Sequence, residues 1–82
     1  MGHLNPEQWD AATASTIRAE RAAAGLSQAK VSELSGIPRV SYIRYETGER
    51  KPNITQIAAI AQALNIPFST FVRRIEDRVK SQ

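Results

Sequence analysis

Residues 25–52 read GLSQAKVSELSGIPRVSYIRYETGERKP and hold three of the four glycines in the chain. Gly25, Gly36 and Gly48 each follow an apolar segment of helical periodicity, where a helix end favours a left-handed residue. Asn65, the next-best residue for that conformation, follows a fourth such segment. These four stops divide the chain into five predicted helices, and no period-two alternation is long enough to indicate a strand.

Capping residues mark where the predicted helices begin. Asn5 followed by Pro6 is typical of an N-cap and a first helical residue. Ser27 and Asn53 are typical N-caps, and Pro67 is predicted to open the last helix. The predicted helices cover about residues 6–24, 28–35, 38–47, 54–64 and 67–79.

Apolar residues at helical spacing predict which faces are buried. In the last two helices these positions are Ile54, Ile57, Ala58, Ala61, Leu64, Phe68, Phe71, Val72, Ile75 and Val79. Trp9 is favoured as a core or interface residue over a role in an effector pocket, because aromatic side chains chiefly contribute burial. Short connections between such helices predict a compact all-α fold of five helices, with residues 1–82 as a single domain.

The composition argues against several classes of function. The 82-residue chain has no cysteine, which removes disulfides and zinc–thiolate sites, and its only histidine is His3. The sequence lacks a carboxylate paired with a base, side chains at the spacing of metal ligands, and a glycine-rich phosphate loop. We therefore expect no enzyme, cofactor or metal site. No apolar run approaches the ~20 residues that span a bilayer, so we expect no membrane partner and a location in the bacterial cytoplasm or nucleoid.

Positive charge is unevenly distributed along the chain. The net charge is +3, and residues 28–82 carry nine basic against five acidic side chains. The positive field therefore lies with the second part of the chain, as a surface that binds nucleic acid or an acidic partner requires.

The second and third predicted helices are joined by a short turn, Gly36-Ile37-Pro38, which is the spacing of a helix-turn-helix. At 100° per residue, Tyr42 and Tyr45 share one side of the third helix with Glu46. Arg39, Val40, Ser41 and Arg44 then face outward, with Thr47 following at the end of the helix. Arginine pairs with the guanine edge and valine contacts a thymine methyl group, so this outward face can read bases.

The stretch GLSQAKVSELSGIPRVSYIRYETGERKPNITQIAAIAQALNI, residues 25–66, resembles the Cro/C1-type (XRE) helix-turn-helix family of phage repressors and bacterial regulators. The resemblance begins near Ile17 and runs to about Phe71. It implies a lambda-repressor-like DNA-binding domain and a role for each matching position. The implied base contacts are Arg39, Val40, Ser41 and Arg44; the implied phosphate contacts are Gln28, Thr47, Arg50 and Lys51; and the implied structural ion pair is Arg21 with Glu46.

Three positions depart from the family pattern. Pro38 stands where the family often has a capping serine or threonine, and it cannot supply a capping oxygen. Tyr42 replaces a usual aliphatic residue, so its buried hydroxyl needs a hydrogen-bond partner. Ile43 occupies a commonly polar position, and three roles stay open: contact with a thymine methyl group, support of Arg39, or simple exposure.

These observations predict a sequence-specific, double-stranded DNA-binding transcription regulator. We expect a repressor that binds its operator as a homodimer through the major groove, with the fifth helix as the favoured dimer contact. One alternative is the antitoxin component of a toxin–antitoxin pair, which would add a toxin partner. Another is a protein-interaction adaptor that keeps the fold without the DNA contacts, which a weak dependence of binding on salt would indicate.

Overall fold

A computed structural model describes residues 5–81, so His3 lies outside the described part of the chain. Five α-helices follow one another within this part, and it contains no strand. Their bounds are α1 Pro6–Ala24, α2 Gln28–Ser35, α3 Arg39–Thr47, α4 Ile54–Ala63 and α5 Phe68–Lys80. The predicted all-α fold is confirmed, and each boundary agrees with the sequence to within a residue or two.

Side-chain caps begin three of the helices as predicted. Asn5 accepts hydrogen bonds from backbone N–H groups in the first turn of α1, and Ser27 Oγ accepts one from the Lys30 N–H at 3.0 Å. Asn53 and Gln56 form a reciprocal capping box at α4, with both bonds 2.8 Å long. These bonds satisfy N–H groups that have no partner within the helix.

Proline and left-handed residues shape the connections. Pro38 and Pro67 are the N-cap residues of α3 and α5, and neither supplies a side-chain hydrogen bond. Pro67 therefore lies one residue before the helix that it was predicted to open. Gly36, with φ 74°, ends α2, and Asn65, with φ 59°, follows α4. A side chain with a β-carbon is strained in that region, which explains glycine at the turn and asparagine as the tolerated substitute.

One hydrophobic core is shared by the five helices. Its buried residues are Ala12, Ile17, Val31, Ile37, Tyr42, Tyr45, Ile60, Ala61, Leu64, Phe71 and Ile75. Trp9 is partly buried against this core, in agreement with the prediction of a core or interface residue. α1 packs on α3 and α5, α2 packs on α3 and α4, and α4 packs on α5. α3 is thereby held from behind by α1 and α2.

The predicted buried face of α4 is wrong at its first residue. Ile54 is 69% exposed, whereas Ile60, absent from the prediction, is completely buried. Both residues lie near the apolar stripe, but periodicity does not show how far the neighbouring helices extend along it. The first turn of α4 is left uncovered, while Ile60 lies against the core. In α5, Phe71 and Ile75 are buried as predicted. The prediction is wrong at Phe68 and Val72, which are 38% and 36% exposed because no neighbouring helix covers that side of α5.

No helix in residues 5–81 combines the length and the apolar character needed to cross a membrane.

Candidate nucleic-acid interface

Hydrogen bonds within the turn set the angle between α2 and α3. The Gly36 N–H donates to the Ser32 carbonyl at 3.0 Å, and Ser32 Oγ donates to the Ile37 carbonyl at 2.5 Å. Ser35 Oγ accepts from the Ile37 N–H at 3.3 Å, and the Ile37 side chain is buried in the core. The turn is therefore held by both hydrogen bonds and burial, and together these fix the orientation of α3 relative to α2.

α3 has one buried side and one open side. Tyr42 is completely buried and Tyr45 nearly so, whereas Val40 is 63% exposed. Arg39 and Arg44 are also exposed. The sequence-predicted orientation of this helix is confirmed, because the tyrosines anchor it while valine and the arginines face outward.

Two less exposed residues lie at the edge of that open side. Ser41 and Ile43 are both half-buried. Ser41 therefore presents less surface than the other predicted base-contacting residues. Ile43 is not a fully exposed apolar side chain, which argues against simple exposure as its role. Contact with a thymine methyl group and support of Arg39 stay open.

The buried carboxylate of Glu46 holds α3 in place. Its Oε1 lies 2.6 Å from Arg21 Nε and accepts a hydrogen bond from the Tyr42 hydroxyl at 2.9 Å. Its Oε2 accepts from Gln28 Nε2 at 2.5 Å and from Arg21 Nη2 at 3.3 Å. One carboxylate thus joins α1, α2 and α3, and it supplies the partner that the Tyr42 hydroxyl needs.

The pKa shifts in this cluster favour the charged forms of Arg21 and Glu46. Burial acts to raise the pKa of Glu46, but hydrogen bonds from Arg21, Gln28 and Tyr42 outweigh it and hold the pKa below its usual value. The hydrogen bond to Glu46 raises the pKa of Arg21. Burial, followed by the hydrogen bond to Glu46, raises the pKa of the Tyr42 hydroxyl. Arg21 and Glu46 are therefore both charged at neutral pH, and Tyr42 keeps its proton.

Arg18 also positions α3, a role that the sequence did not predict. Its Nη1 donates to the Glu46 backbone carbonyl at 2.6 Å, near the C-terminal end of α3. A positive charge at that end also complements the helix dipole. The one local hint is that Arg18 precedes Arg21 by three residues and so lies on the same face of α1, but this spacing does not show that the face meets the end of α3.

Gln28 is oriented differently from what its implied phosphate role suggests. Its half-buried side-chain amide donates to Glu46, so it points into the cluster that anchors α3. A phosphate contact would fall to the second amide hydrogen or to the Gln28 backbone N–H in the first turn of α2. Its amide therefore serves first to position α3, which the sequence did not indicate.

The other implied phosphate contacts lie at the end of α3 and in the loop that follows it. Thr47, Arg50 and Lys51 are all exposed. Thr47 Oγ1 donates to the Arg44 carbonyl at 3.2 Å, and the Arg50 N–H donates to the same carbonyl at 3.2 Å. Lys51 Nζ lies 3.1 Å from Asp10 Oδ2 on α1. The end of α3 and the start of the next loop thus carry a hydroxyl and two cations on one part of the surface.

Residues 17–71 match a family described as Helix-turn-helix. The chain belongs to this family. The match covers both helices of the motif, the anchoring residue Glu46 and the basic loop that follows α3. It ends at Phe71, where the resemblance recognised in the sequence also ends.

Proteins described as HTH-type transcriptional regulators are similar to most of this chain. An uncharacterized HTH-type transcriptional regulator of Sinorhizobium medicae (strain WSM419) is 35% identical over 66 residues, which cover 80% of this chain and 48% of that protein. A relative of the same description from Rhizobium meliloti (strain 1021) matches to the same extent. The HTH-type transcriptional regulator SutR of Escherichia coli (strain K12) is 32% identical over 57 residues, covering 70% of this chain and 32% of SutR. The chain therefore spans about half, or a third, of the length of these relatives.

Proposed function

We propose that this chain binds double-stranded DNA sequence-specifically, as the DNA-binding part of a transcription regulator. The observation that carries the proposal is the division of α3, with Tyr42 and Tyr45 buried and Val40 exposed on the other side. A helix of this kind, joined by a tight turn to the one before it, lies in the major groove in helix-turn-helix proteins. The regulators named among the relatives support the same function.

Specificity is assigned to the outward residues of α3. Arg39 and Arg44 are exposed cations that can donate two hydrogen bonds to guanine O6 and N7. Val40 offers an apolar surface for a thymine methyl group, and Ser41 can donate or accept at a base edge. These four side chains form the proposed base-reading set.

Affinity is assigned to the residues around α3. We assign phosphate contacts to Thr47, Arg50 and Lys51, whose exposure supports this role. Gln28, at the start of α2, is assigned a contact with the DNA backbone. Such contacts orient the protein on the duplex without reading its sequence. The Glu46 cluster ties the reading helix to α1 and α2 in the free protein, and such preorganisation reduces the ordering entropy lost on binding.

We extend the proposal to a homodimer that acts as a repressor. One recognition helix reads only a few base pairs, and two half-sites one helical turn apart, about 34 Å, supply the missing specificity. α5 carries the exposed apolar residues Phe68 and Val72, which makes it the favoured dimer surface. A dimer bound at a promoter would block polymerase by occupying its site, and we propose that the protein acts in the bacterial cytoplasm or nucleoid.

Selection of bound duplexes from a random pool tests the function. A sequence-reading dimer enriches a palindromic motif, and its affinity for that motif falls steeply as salt rises. Equal binding of selected and random duplexes would refute sequence-specific reading. Salt-independent binding would instead favour an adaptor. Sedimentation with and without the selected duplex tests the dimer, and a monomer in both conditions would remove it.

A further inference from the structure

One ion pair joins α1 to the loop after α3. Lys51 Nζ lies 3.1 Å from Asp10 Oδ2, with the lysine side chain 74% exposed and the aspartate side chain 39% exposed. Lys51 is one of the cations proposed above to contact a DNA phosphate. The same ammonium group therefore has a carboxylate partner in the free protein, at the surface where DNA is proposed to bind.

We propose that Asp10 competes with the DNA phosphate for Lys51, so that DNA binding breaks the Asp10–Lys51 ion pair. This inference rests on the proposed function. Asp10 then acts as an intramolecular competitor that lowers the affinity for any duplex. A lysine that must leave a carboxylate to reach a phosphate contributes less net binding free energy than a lysine with no partner.

The two partners differ in their freedom to move. Asp10 lies in the second turn of α1, directly after the partly buried Trp9 and two residues before Ala12, which is completely buried. Its carboxylate is therefore held on a packed helix. Lys51 has a long flexible side chain in a loop, and most of its surface is already in contact with water. The ammonium group can turn to a phosphate while the carboxylate stays in place.

Asp10 also lies within the proposed phosphate-binding surface. It lines one surface cavity together with Arg50 and Lys51, and a neighbouring cavity together with Glu7 and Thr47. A phosphate that approaches Lys51 therefore meets the Asp10 carboxylate nearby. The carboxylate and the phosphate are both negative and repel each other, and salt weakens this repulsion because both groups are exposed to solvent.

A double-mutant cycle tests the competition. Fluorescence anisotropy with a labelled random-sequence duplex of about two helical turns measures the affinity of the wild-type chain at about 50 mM salt, where phosphate contacts are strong. The variants are Asp10→Asn, Lys51→Ala and both together. Glu33→Gln is the matched control, because it also removes one negative charge from an exposed ion pair, with Lys30 on α2. Thermal unfolding of each variant checks that it is folded.

Competition predicts a distinct pattern of affinities. Asp10→Asn binds the duplex roughly twofold to fivefold more tightly than wild type, the range that one exposed ion pair supplies. In the Lys51→Ala background the same change gives a clearly smaller gain, because no ammonium group remains to be released. Glu33→Gln gives no comparable gain, and the effect of Asp10→Asn shrinks as salt rises.

Three results would overturn the inference while leaving DNA binding intact. The first is a gain in affinity from Asp10→Asn that is as large in the Lys51→Ala background as in the wild-type chain. The second is a gain from Glu33→Gln as large as that from Asp10→Asn. The third is weaker binding by Asp10→Asn than by the wild-type chain. Failure of the wild-type chain to bind either this duplex or a selected one would refute the proposed function itself, and this inference with it.

Discussion

Replacing Glu46 by glutamine removes the charge of the carboxylate that anchors α3 and leaves its shape almost unchanged. In the wild-type protein this group accepts hydrogen bonds from Arg21, Gln28 and Tyr42. In Glu46→Gln one acceptor oxygen becomes an NH₂ group that faces donors. Arg21 loses its charged partner, so the change isolates the electrostatic role of Glu46 from its packing.

The expected loss of stability follows from the burial of the pair. The Glu46 side chain is 3% exposed and that of Arg21 is 23% exposed. Removing one partner of a fully buried ion pair costs about 3–5 kcal/mol. Arg21 keeps contact with water and its hydrogen bond to the Leu26 carbonyl, and glutamine keeps one acceptor oxygen. We therefore expect the free energy of unfolding to fall by about 2–4 kcal/mol.

A loss of this size is easily measured in so small a protein. At 0.05–0.15 kcal/mol per residue, a domain of this length has a total stability of about 4–12 kcal/mol. The midpoint of thermal unfolding should fall by roughly 10–30 °C. Urea unfolding followed by circular dichroism gives the free energy directly. Glu76→Gln, which removes an exposed pair with Lys80, is the control and should change stability by less than about 0.5 kcal/mol.

Acid gives an internal check on the same variant. The folded-state pKa of Glu46 lies below its usual value of 4.5, so the unfolded chain binds this proton first as pH falls. The stability that the carboxylate contributes is therefore present above pH 4.5 and is lost as pH falls through the folded-state pKa. Wild type and Glu46→Gln should converge in stability below that point. A neutral-pH difference under about 0.5 kcal/mol, or a difference that persists in acid, would refute this account of the cluster.

Three further predictions concern the reading helix, the phosphate contacts and the core. Arg44→Ala should cost about 1–3 kcal/mol on a selected duplex and relax preference at one base pair, and equal losses on selected and random duplexes would contradict it. Arg50→Ala should weaken binding to all duplexes alike and lower the slope of log affinity against log salt by about one, and an unchanged slope would argue against its phosphate contact. Ile60→Ala should lower the free energy of unfolding in urea by about 2–5 kcal/mol, because Ile60 is completely buried. Ile54→Ala should change it by less than about 1 kcal/mol, because Ile54 is exposed, and similar losses for the two variants would contradict this contrast.

Local sequence signals were sufficient for the helices and for the orientation of α3. Glycine and asparagine at positive φ, together with the caps at Ser27 and Asn53, define where helices end and begin. The 100° rotation per residue places Tyr42 and Tyr45 on the buried side of α3, as observed. These features depend on residues a few positions apart, so they can be read without knowing how the helices pack.

Contacts between distant segments required the packed structure. Gln28 and Arg18 bind Glu46 from 18 and 28 residues away, and only the docking of α1 and α2 on α3 brings them together. The exposure of Ile54 and the burial of Ile60 depend in the same way on how far neighbouring helices extend. Lys51 and Asp10 are both surface residues with no periodic pattern, and they meet because α1 passes beside the loop after α3. The periodicity of a helix shows which of its faces is apolar. The positions of the neighbouring helices decide how much of that face is covered and which polar groups from distant parts of the chain come into contact.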